Sequence, residues 1–223
     1  LSFDAAIFDL DGTLVDSLED LADSVNQVLE ESGYPPHPLH AYRRFVGDGI
    51  VALVRRALPP SARDQQSLAR CTDEMRDVYA ERWNRKTRPY RGIPELLTEL
   101  ERRGIVTGVL SNKPHAMTQK VVGELLPTSR FDAVLGAEAG FPRKPDPAGA
   151  LEAARMMNVS PEKTVYFGDS DTDMHTANAA GMYAVGVLWG FRDGDELRAA
   201  GARTLVSSPD EIALLFAGDR SGN

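Results

Sequence analysis

A chain of 223 residues with 42% hydrophobic and 26% charged residues can bury a sizeable core without disulfide or metal staples, and collagen-like, coiled-coil and disordered classes drop out. With 25 Lys+Arg against 33 Asp+Glu the formal charge is -8, which argues against nucleic acid or an anionic membrane as main partner but leaves a small anionic ligand open, because a pocket can differ in sign from the whole. The single cysteine, Cys71, excludes an internal disulfide and makes a reducing, cytoplasmic compartment the simplest expectation.

The first predicted element is a strand. Ala5-Ala6-Ile7-Phe8 is short and apolar and is stopped by Asp9-Leu10-Asp11-Gly12. From residue 15 to about 88 no strand pattern follows. Leu18, Leu21, Ala22, Val25 and Leu29 keep helical spacing, as do Ile50, Leu53, Val54 and Ala57, and then Leu68, Cys71, Met75, Tyr79 and Trp83. Pro-rich breaks at residues 34–38 and at Pro59-Pro60 separate these runs. The stretch predicts an all-helical domain over residues 15–88, inserted into a discontinuous core of residues 1–14 and 89–223.

Beyond the insert, helical and apolar patterns alternate. Ile93, Leu96, Leu97 and Leu100 mark a helix, followed by a strand at 105–110, a helix at 114–126 and a strand at 133–135. A helix at 147–157, a strand at 164–167, a helix at 172–180 and strands at 183–188 and 204–206 complete the series, and the tail from 218 to 223 reads as frayed. Near-continuous apolar strands alternating with helices predict an α/β fold, a Rossmann-like parallel sheet with right-handed crossovers. No apolar run is long enough to span a bilayer, and the start lacks the basic and apolar stretches of a signal peptide. The chain does not begin with Met, so the native start is expected upstream.

Open parallel sheets bind ligands at the carboxyl ends of their strands. Asp9 and Asp11 follow the first predicted strand, and Ser111, Asn112 and Lys113 follow the second. The run from Gly168 through Asp169, Ser170, Asp171 and Thr172 to Asp173 follows the fourth. Lys144 stands just before a helix, so acids, a hydroxyl and a lysine gather at one rim.

This set resembles the haloacid dehalogenase superfamily over the whole chain. Asp9-Leu10-Asp11-Gly12-Thr13-Leu14-Val15-Asp16-Ser17 is similar to its first motif and Ser111 to its second. Lys144 fits the third and Gly168-Asp169-Ser170-Asp171-Thr172-Asp173 the fourth, while the helical insert looks like its cap. Within the superfamily the sequence resembles the phosphoglycolate phosphatase-like enzymes, through Asp11–Ser17, the cap stretch Arg44-Phe45-Val46-Gly47-Asp48-Gly49, and Gly186-Val187-Leu188-Trp189-Gly190-Phe191.

The resemblance implies hydrolysis of a small phosphomonoester. Asp9 would attack phosphorus and form an aspartyl-phosphate, needing no activating base because a carboxylate with a pKa of about 4 is already ionised. Asp11 would be general acid for the leaving alcohol and then base for water. Gly12 and Thr13 shape the turn and border the phosphate, Ser111 and the Asn112 backbone N–H hold phosphate oxygens, and Lys144 neutralises growing charge. Asp9, Asp11, Asp169 and Asp173 against Lys144 leave a negative site for a dianion, so a cation is expected, and Mg²⁺ suits oxygen ligands. By the same resemblance Asp9 and Asp169 bind it through side chains and Asp11 through its carbonyl, with Ser170 and Asp173 behind them. Arg44, Phe45, Gly47, Asp48 and Gly49 are expected to read the leaving group. The partner is a small phosphorylated metabolite, and the protein a monomer or homodimer.

Other readings share some of these residues. A β-phosphoglucomutase-like isomerase shares Asp9 and Asp11, and a phosphonatase needs a cap lysine, for which only Lys86 precedes Tyr90. A non-catalytic phosphate-ligand binding protein would not need the acids. An EF-hand loop from Asp169 fails, with Met174 and Ala180 where Gly and Glu belong. His37, His40, His115 and His175 read as structural or surface residues, and Cys71 as core. The basic residues from Arg82 to Arg91 read as a solvated stretch near the cap exit.

Overall fold

The apolar run that opens the sequence becomes the central strand of the molecule. In a computed structural model describing residues 2–216, β1 (Ala5–Phe8) pairs in parallel with β4 (Val106–Pro114) on one side and β6 (Thr164–Gly168) on the other. β5 (Ala133–Ala137) lies outside β4, and β7 (Tyr183–Val187) and β8 (Thr204–Val206) continue beyond β6. Among the described residues these strands form one parallel sheet of order β5-β4-β1-β6-β7-β8, as expected of an α/β core. The order reverses at β1, so the crevice at the carboxyl ends of β4, β1 and β6 is the topological switch point.

Both faces of the sheet are covered. Ala6, Phe8, Val109, Val165 and Phe167 point to one face, toward the apolar stripe of α5 (Ile93–Arg102) and Ile212 of α10 (Pro209–Leu215). Ala5, Ile7, Leu110 and Tyr166 point to the other, where α7 (Ala148–Met156), α8 (Asp171–Ala179) and α9 (Gly194–Ala199) present Ala150, Ala153, Ala177 and Leu197. Strand alternation decides which residue faces which side, and each fully buried large side chain contributes about 1.5–3 kcal/mol. α6 (His115–Leu125) follows β4 directly and adds Val121 and Val122.

Residues between β1 and α5 are mostly helical. α1 (Leu18–Glu31) buries Leu21, Val25, Val28 and Leu29, and α4 (Gln65–Arg82) buries Leu68, Cys71, Met75 and Tyr79. These i, i+3, i+4 stripes pack the two helices together, and the Asp64 carboxylate caps α4 by accepting the Ser67 N–H at 3.0 Å. α2 (Leu39–Phe45) and α3 (Ile50–Ala57) complete the layer.

The structure corrects the sequence reading in three places. The stretch expected to hold no strand begins and ends in one: β2 (Val15–Asp16) pairs antiparallel with β3 (Arg88–Pro89), joining the two junctions of the insert. Two-residue strands carry no periodicity, so only their tertiary pairing reveals them. α2, α9 and α10 were not expected, because short helices leave too few turns for a pattern. β4 runs on through Asn112 and Lys113 to Pro114, past its expected end at residue 110. The tail at 218–223 lies outside the described residues. No described helix is long and apolar enough to cross a membrane.

Candidate active site

Three adjacent strand ends supply the floor of the site. Asp9 follows β1, Ser111 to Lys113 lie at the end of β4, and Asp169 follows β6. Lys144, on the segment between β5 and α7, reaches underneath, with its ammonium 2.9 Å from Asp9 Oδ1 and 2.7 Å from Asp173 Oδ1. The Asn112 side chain holds that segment against β4, accepting the Lys144 N–H at 2.9 Å and donating to the Lys144 carbonyl at 3.1 Å.

α8 starts on a reciprocal cap. Ser170 Oγ donates to Asp173 Oδ2 at 2.6 Å and accepts the Asp173 N–H at 3.3 Å, while Asp173 Oδ2 also takes the Ser170 N–H at 3.1 Å. Asp173 is thereby spent on Lys144 and Ser170. Asp9 and Asp169 are not. Asp9 Oδ1 is buried and meets the Lys144 ammonium as an ion pair. Asp169 Oδ2 accepts the Phe191 N–H at 2.7 Å, and its Oδ1 has only a 3.3 Å contact from Thr13 Oγ1.

Two glycines allow this crowding. Gly12 has φ +89, and a Cβ there would stand 2.3 Å from Asp169 Oδ2. A Cβ on Gly190 would stand 2.2 Å from the Asp169 Cβ.

The charges do not balance. Asp9, Asp169 and Asp173 offer oxygens within 4.8 Å of one another, and the Lys144 ammonium pairs with two of them, Asp9 and Asp173. Burial, then Asp173, pushes Asp9 up to about 7 against the pull of Lys144. Burial, then Asp173 and Asp9, hold Asp169 well above the ordinary carboxylate range. Burial works against the Lys144 charge, but Asp173 and Asp9 raise it well above the usual lysine value. Three buried carboxylates around one ammonium, with Asp9 Oδ1 making no hydrogen bond, fit a hard divalent cation held by Asp9 and Asp169.

Above the floor lies a cavity of about 390 Å³. Asp9, Asp11, Ser111, Asn112 and Lys113 border it from below, and Leu21, Ile50, Leu53 and Met75 of the helical layer border it from above. Asp11 is held by Ser17 Oγ, which donates to Oδ1 at 2.6 Å, and by the Lys113 ammonium at 3.0 and 2.9 Å from its two oxygens. The sequence reading placed Lys113 at a strand end and assigned it nothing. β4 shifts register between Leu110 and Pro114, so no regular strand alternation gives the direction of Lys113 from the sequence.

Other expected residues stand elsewhere. Gly12 and Thr13 sit against Asp169 rather than bordering the cavity, as does the Trp189 loop, whose indole N–H donates to the Thr13 carbonyl at 3.0 Å. Gly47 and Gly49 border the cavity, and Gly47 accepts from Asn112 Nδ2 at 3.2 Å. Arg44, Phe45 and Asp48 do not. Arg44 is turned outward on α2, and Phe45 packs edge-on against His37 and Tyr42 at 5.2 and 5.4 Å. Asp48 pairs with Arg56 and accepts Thr172 Oγ1 at 2.8 Å. Arg43, absent from the sequence reading, donates to the Gly190 and Phe191 carbonyls instead. Lys86 does not border the cavity and is paired with Glu19 and Asp23 at 3.2 and 2.9 Å.

Comparison with known proteins agrees with this geometry. The phosphoglycolate phosphatase of Pseudomonas putida is 34% identical over 220 residues, covering 95% of this chain and 78% of the relative. A crystal structure from Lactobacillus delbrueckii subsp. bulgaricus superposes with a TM-score of 0.92 at 32% identity, covering 98% of this chain and all of that one. The β-phosphoglucomutase of Clostridium difficile, at 21% identity and a TM-score of 0.75 over 96% of this chain and 97% of its own, shares the fold. The sequence profile of the haloacid dehalogenase-like hydrolases matches residues 6–187. Profile, relatives and the acidic floor converge, and the chain belongs to the haloacid dehalogenase-like hydrolases.

Proposed function

We propose that this protein is a Mg²⁺-dependent phosphatase of a small phosphomonoester, phosphoglycolate or a close analogue, working through an aspartyl-phosphate in the cytoplasm as a monomer or homodimer. The supporting observation is the Asp9 carboxylate, buried at the cavity floor with one oxygen free of hydrogen bonds and Lys144 beside it. Residues 15–88 act as a cap over the core of residues 1–14 and 89–223. The cavity of about 390 Å³ limits the ester to a small leaving group, and its apolar upper wall excludes water from it.

Asp9 attacks phosphorus as the bond to the leaving oxygen breaks, and Asp11 gives that oxygen a proton. Asp11 then takes a proton from the water that opens the acyl-phosphate and returns Asp9 to its carboxylate. Ser111 Oγ and the Asn112 N–H orient the phosphate oxygens, and Lys144, held by Asp173, offsets the charge gathering on them. Bound by Asp9, Asp169 and the Asp11 carbonyl, Mg²⁺ would screen the dianion from the surrounding acids.

Phosphate release from phosphoglycolate and a panel of sugar and polyol phosphates, with Mg²⁺ present, tests the reading. Wild type turns over at least one member, and Asp9→Asn loses about 10³-fold or more while keeping its melting temperature. Acid-quenched mixtures with labelled ester carry label on wild-type protein and none on the variant. Appreciable turnover by Asp9→Asn refutes the nucleophile assignment. Isomerisation of a sugar phosphate primed with a bisphosphate, in place of phosphate release, would make the acceptor a sugar.

A further inference from the structure

The reaction outlined above gives Lys113 no task, yet its placement is costly. Its side chain is 4% exposed, and a buried ammonium is tolerated only where its donors are paired. Three contacts meet that need: both Asp11 oxygens at 3.0 and 2.9 Å and the Tyr79 hydroxyl at 2.9 Å, with the Tyr79 ring centroid 4.7 Å away. A buried ion pair seldom adds stability over an apolar pair of similar volume, so its orientation is the more informative property. Here that orientation links three elements: the loop after β1, the end of β4, and α4 in the helical layer. Ser17 Oγ adds a third donor contact to Asp11, fixing the carboxyl plane.

We infer that Lys113 is a positioning residue for Asp11, and that Tyr79 ties this hold to the helical layer over the cavity. The inference rests on the phosphatase reading. The ion pair with both oxygens on Lys113 is the base form of Asp11; in its acid form one oxygen carries the proton and the other keeps the Lys113 ammonium. In the first half of that reaction the Asp9 oxygen–phosphorus bond forms, the bond to the leaving oxygen breaks, and the proton of the acid form passes to that oxygen. In the second half the water oxygen–phosphorus bond forms, the Asp9–phosphorus bond breaks, and a proton returns to Asp11. Both halves need the same carboxyl within hydrogen-bond reach of the reacting oxygen, and a misplacement of about 1 Å costs on the order of 100-fold.

The test compares wild type, K113M, K113R and Y79F on two substrates: the alkyl ester of the panel that wild type hydrolyses fastest, and p-nitrophenyl phosphate. On the alkyl ester, K113M lowers kcat by about 10- to 100-fold with KM within about threefold, K113R recovers part of the loss, and Y79F loses less at the same KM. The aryl leaving group needs no proton, so K113M releases nitrophenolate in a burst of one per site before slow turnover, because water attack still needs Asp11. The burst counts competent sites and separates misplacement from misfolding. Should K113M melt below the assay temperature, K113R and Y79F decide, and both must lower kcat at constant KM. An alkyl-ester kcat within twofold of wild type, a loss confined to KM, or a burst abolished in K113M and K113R alike overturns the inference. Wild type idle on every ester overturns the phosphatase reading and this inference together; active wild type with unaffected variants overturns this inference alone.

Discussion

The strand-end floor and the helical layer meet across one cavity and are built on opposite terms. On the floor, polar side chains hold one another: Lys144 with Asp173 at 2.7 Å, Lys113 with Asp11 at 2.9 Å, Ser170 with Asp173 at 2.6 Å. The layer offers apolar side chains to the cavity and docks on the core through backbone carbonyls as well as through Arg43, Asp48 and Tyr79. Arg192 donates to the Arg43 and Val46 carbonyls, the latter at 2.9 Å, and Asn112 to the Gly47 carbonyl. Carbonyls are present at every position, so that part of the docking tolerates side-chain change. The chemistry sits on rigid strand ends, where a carboxylate is placed to within a fraction of an ångström.

The largest test of this contrast is on the floor. On the Mg²⁺ reading proposed above, Asp169→Asn lowers kcat by about 10³-fold, and added Mg²⁺ raises the melting temperature of wild type, by about 2.7 kcal/mol of stability at a hundred times Kd, but not of the variant. Calorimetric scans with and without Mg²⁺ read it, and an undiminished rise in the variant would place the ion elsewhere.

Next comes the junction of the two regions. Asp20, on α1, accepts the Lys86 N–H at 2.9 Å and the Thr87 N–H and hydroxyl at 2.8 Å each, all on one buried oxygen. Asp20→Ala strands those donors and costs about 3 kcal/mol in urea unfolding. A loss under about 1 kcal/mol would mean that water replaces the carboxylate there.

Within the layer, neighbouring arginines differ. Arg43→Ala lowers kcat/KM about 10-fold, since its guanidinium holds the Gly190 and Phe191 carbonyls beside the N–H that orients Asp169. Arg44→Ala stays within twofold. Equal losses would show that the layer reads the leaving group through charge rather than shape.

The smallest effect is on Asp48. Burial works against its charge, but hydrogen bonds from Arg56 and Thr172 and the nearby Arg192 hold its carboxyl below the ordinary range. A depressed folded value stabilises above the unfolded value of about 4 and is lost as pH falls through the folded one. Asp48→Asn therefore destabilises at pH 7 by under about 1 kcal/mol, the pair being partly exposed, and converges with wild type at acid pH. A gap that widens on acidification would contradict the assigned charge.

Some of this could be read from residues in order. Apolar runs ended by Asp9, Ser111 and Asp169 marked strand ends, and strand ends of a parallel sheet share a rim whatever the loops do. Helical spacing of Leu21, Val25 and Leu29 likewise marked a helix whose stripe must be buried. Arg43 and Arg44 could not be separated in this way, because α2 is too short and polar for periodicity to say which side chain faces the core.

Periodicity and residue chemistry are local properties, so the chain order alone specified the alternating α/β core, the helices between its first two strands and the acids and lysine at the rim. Partner choice is not local. Lys113 reaching Asp11 and Tyr79 across 102 and 34 positions, and the backbone of residues 86–87 reaching Asp20, depend on how helices dock on the sheet. Docking was settled by packing around the cavity, where a buried charge is stable only beside the one neighbour that the assembled fold brings to it.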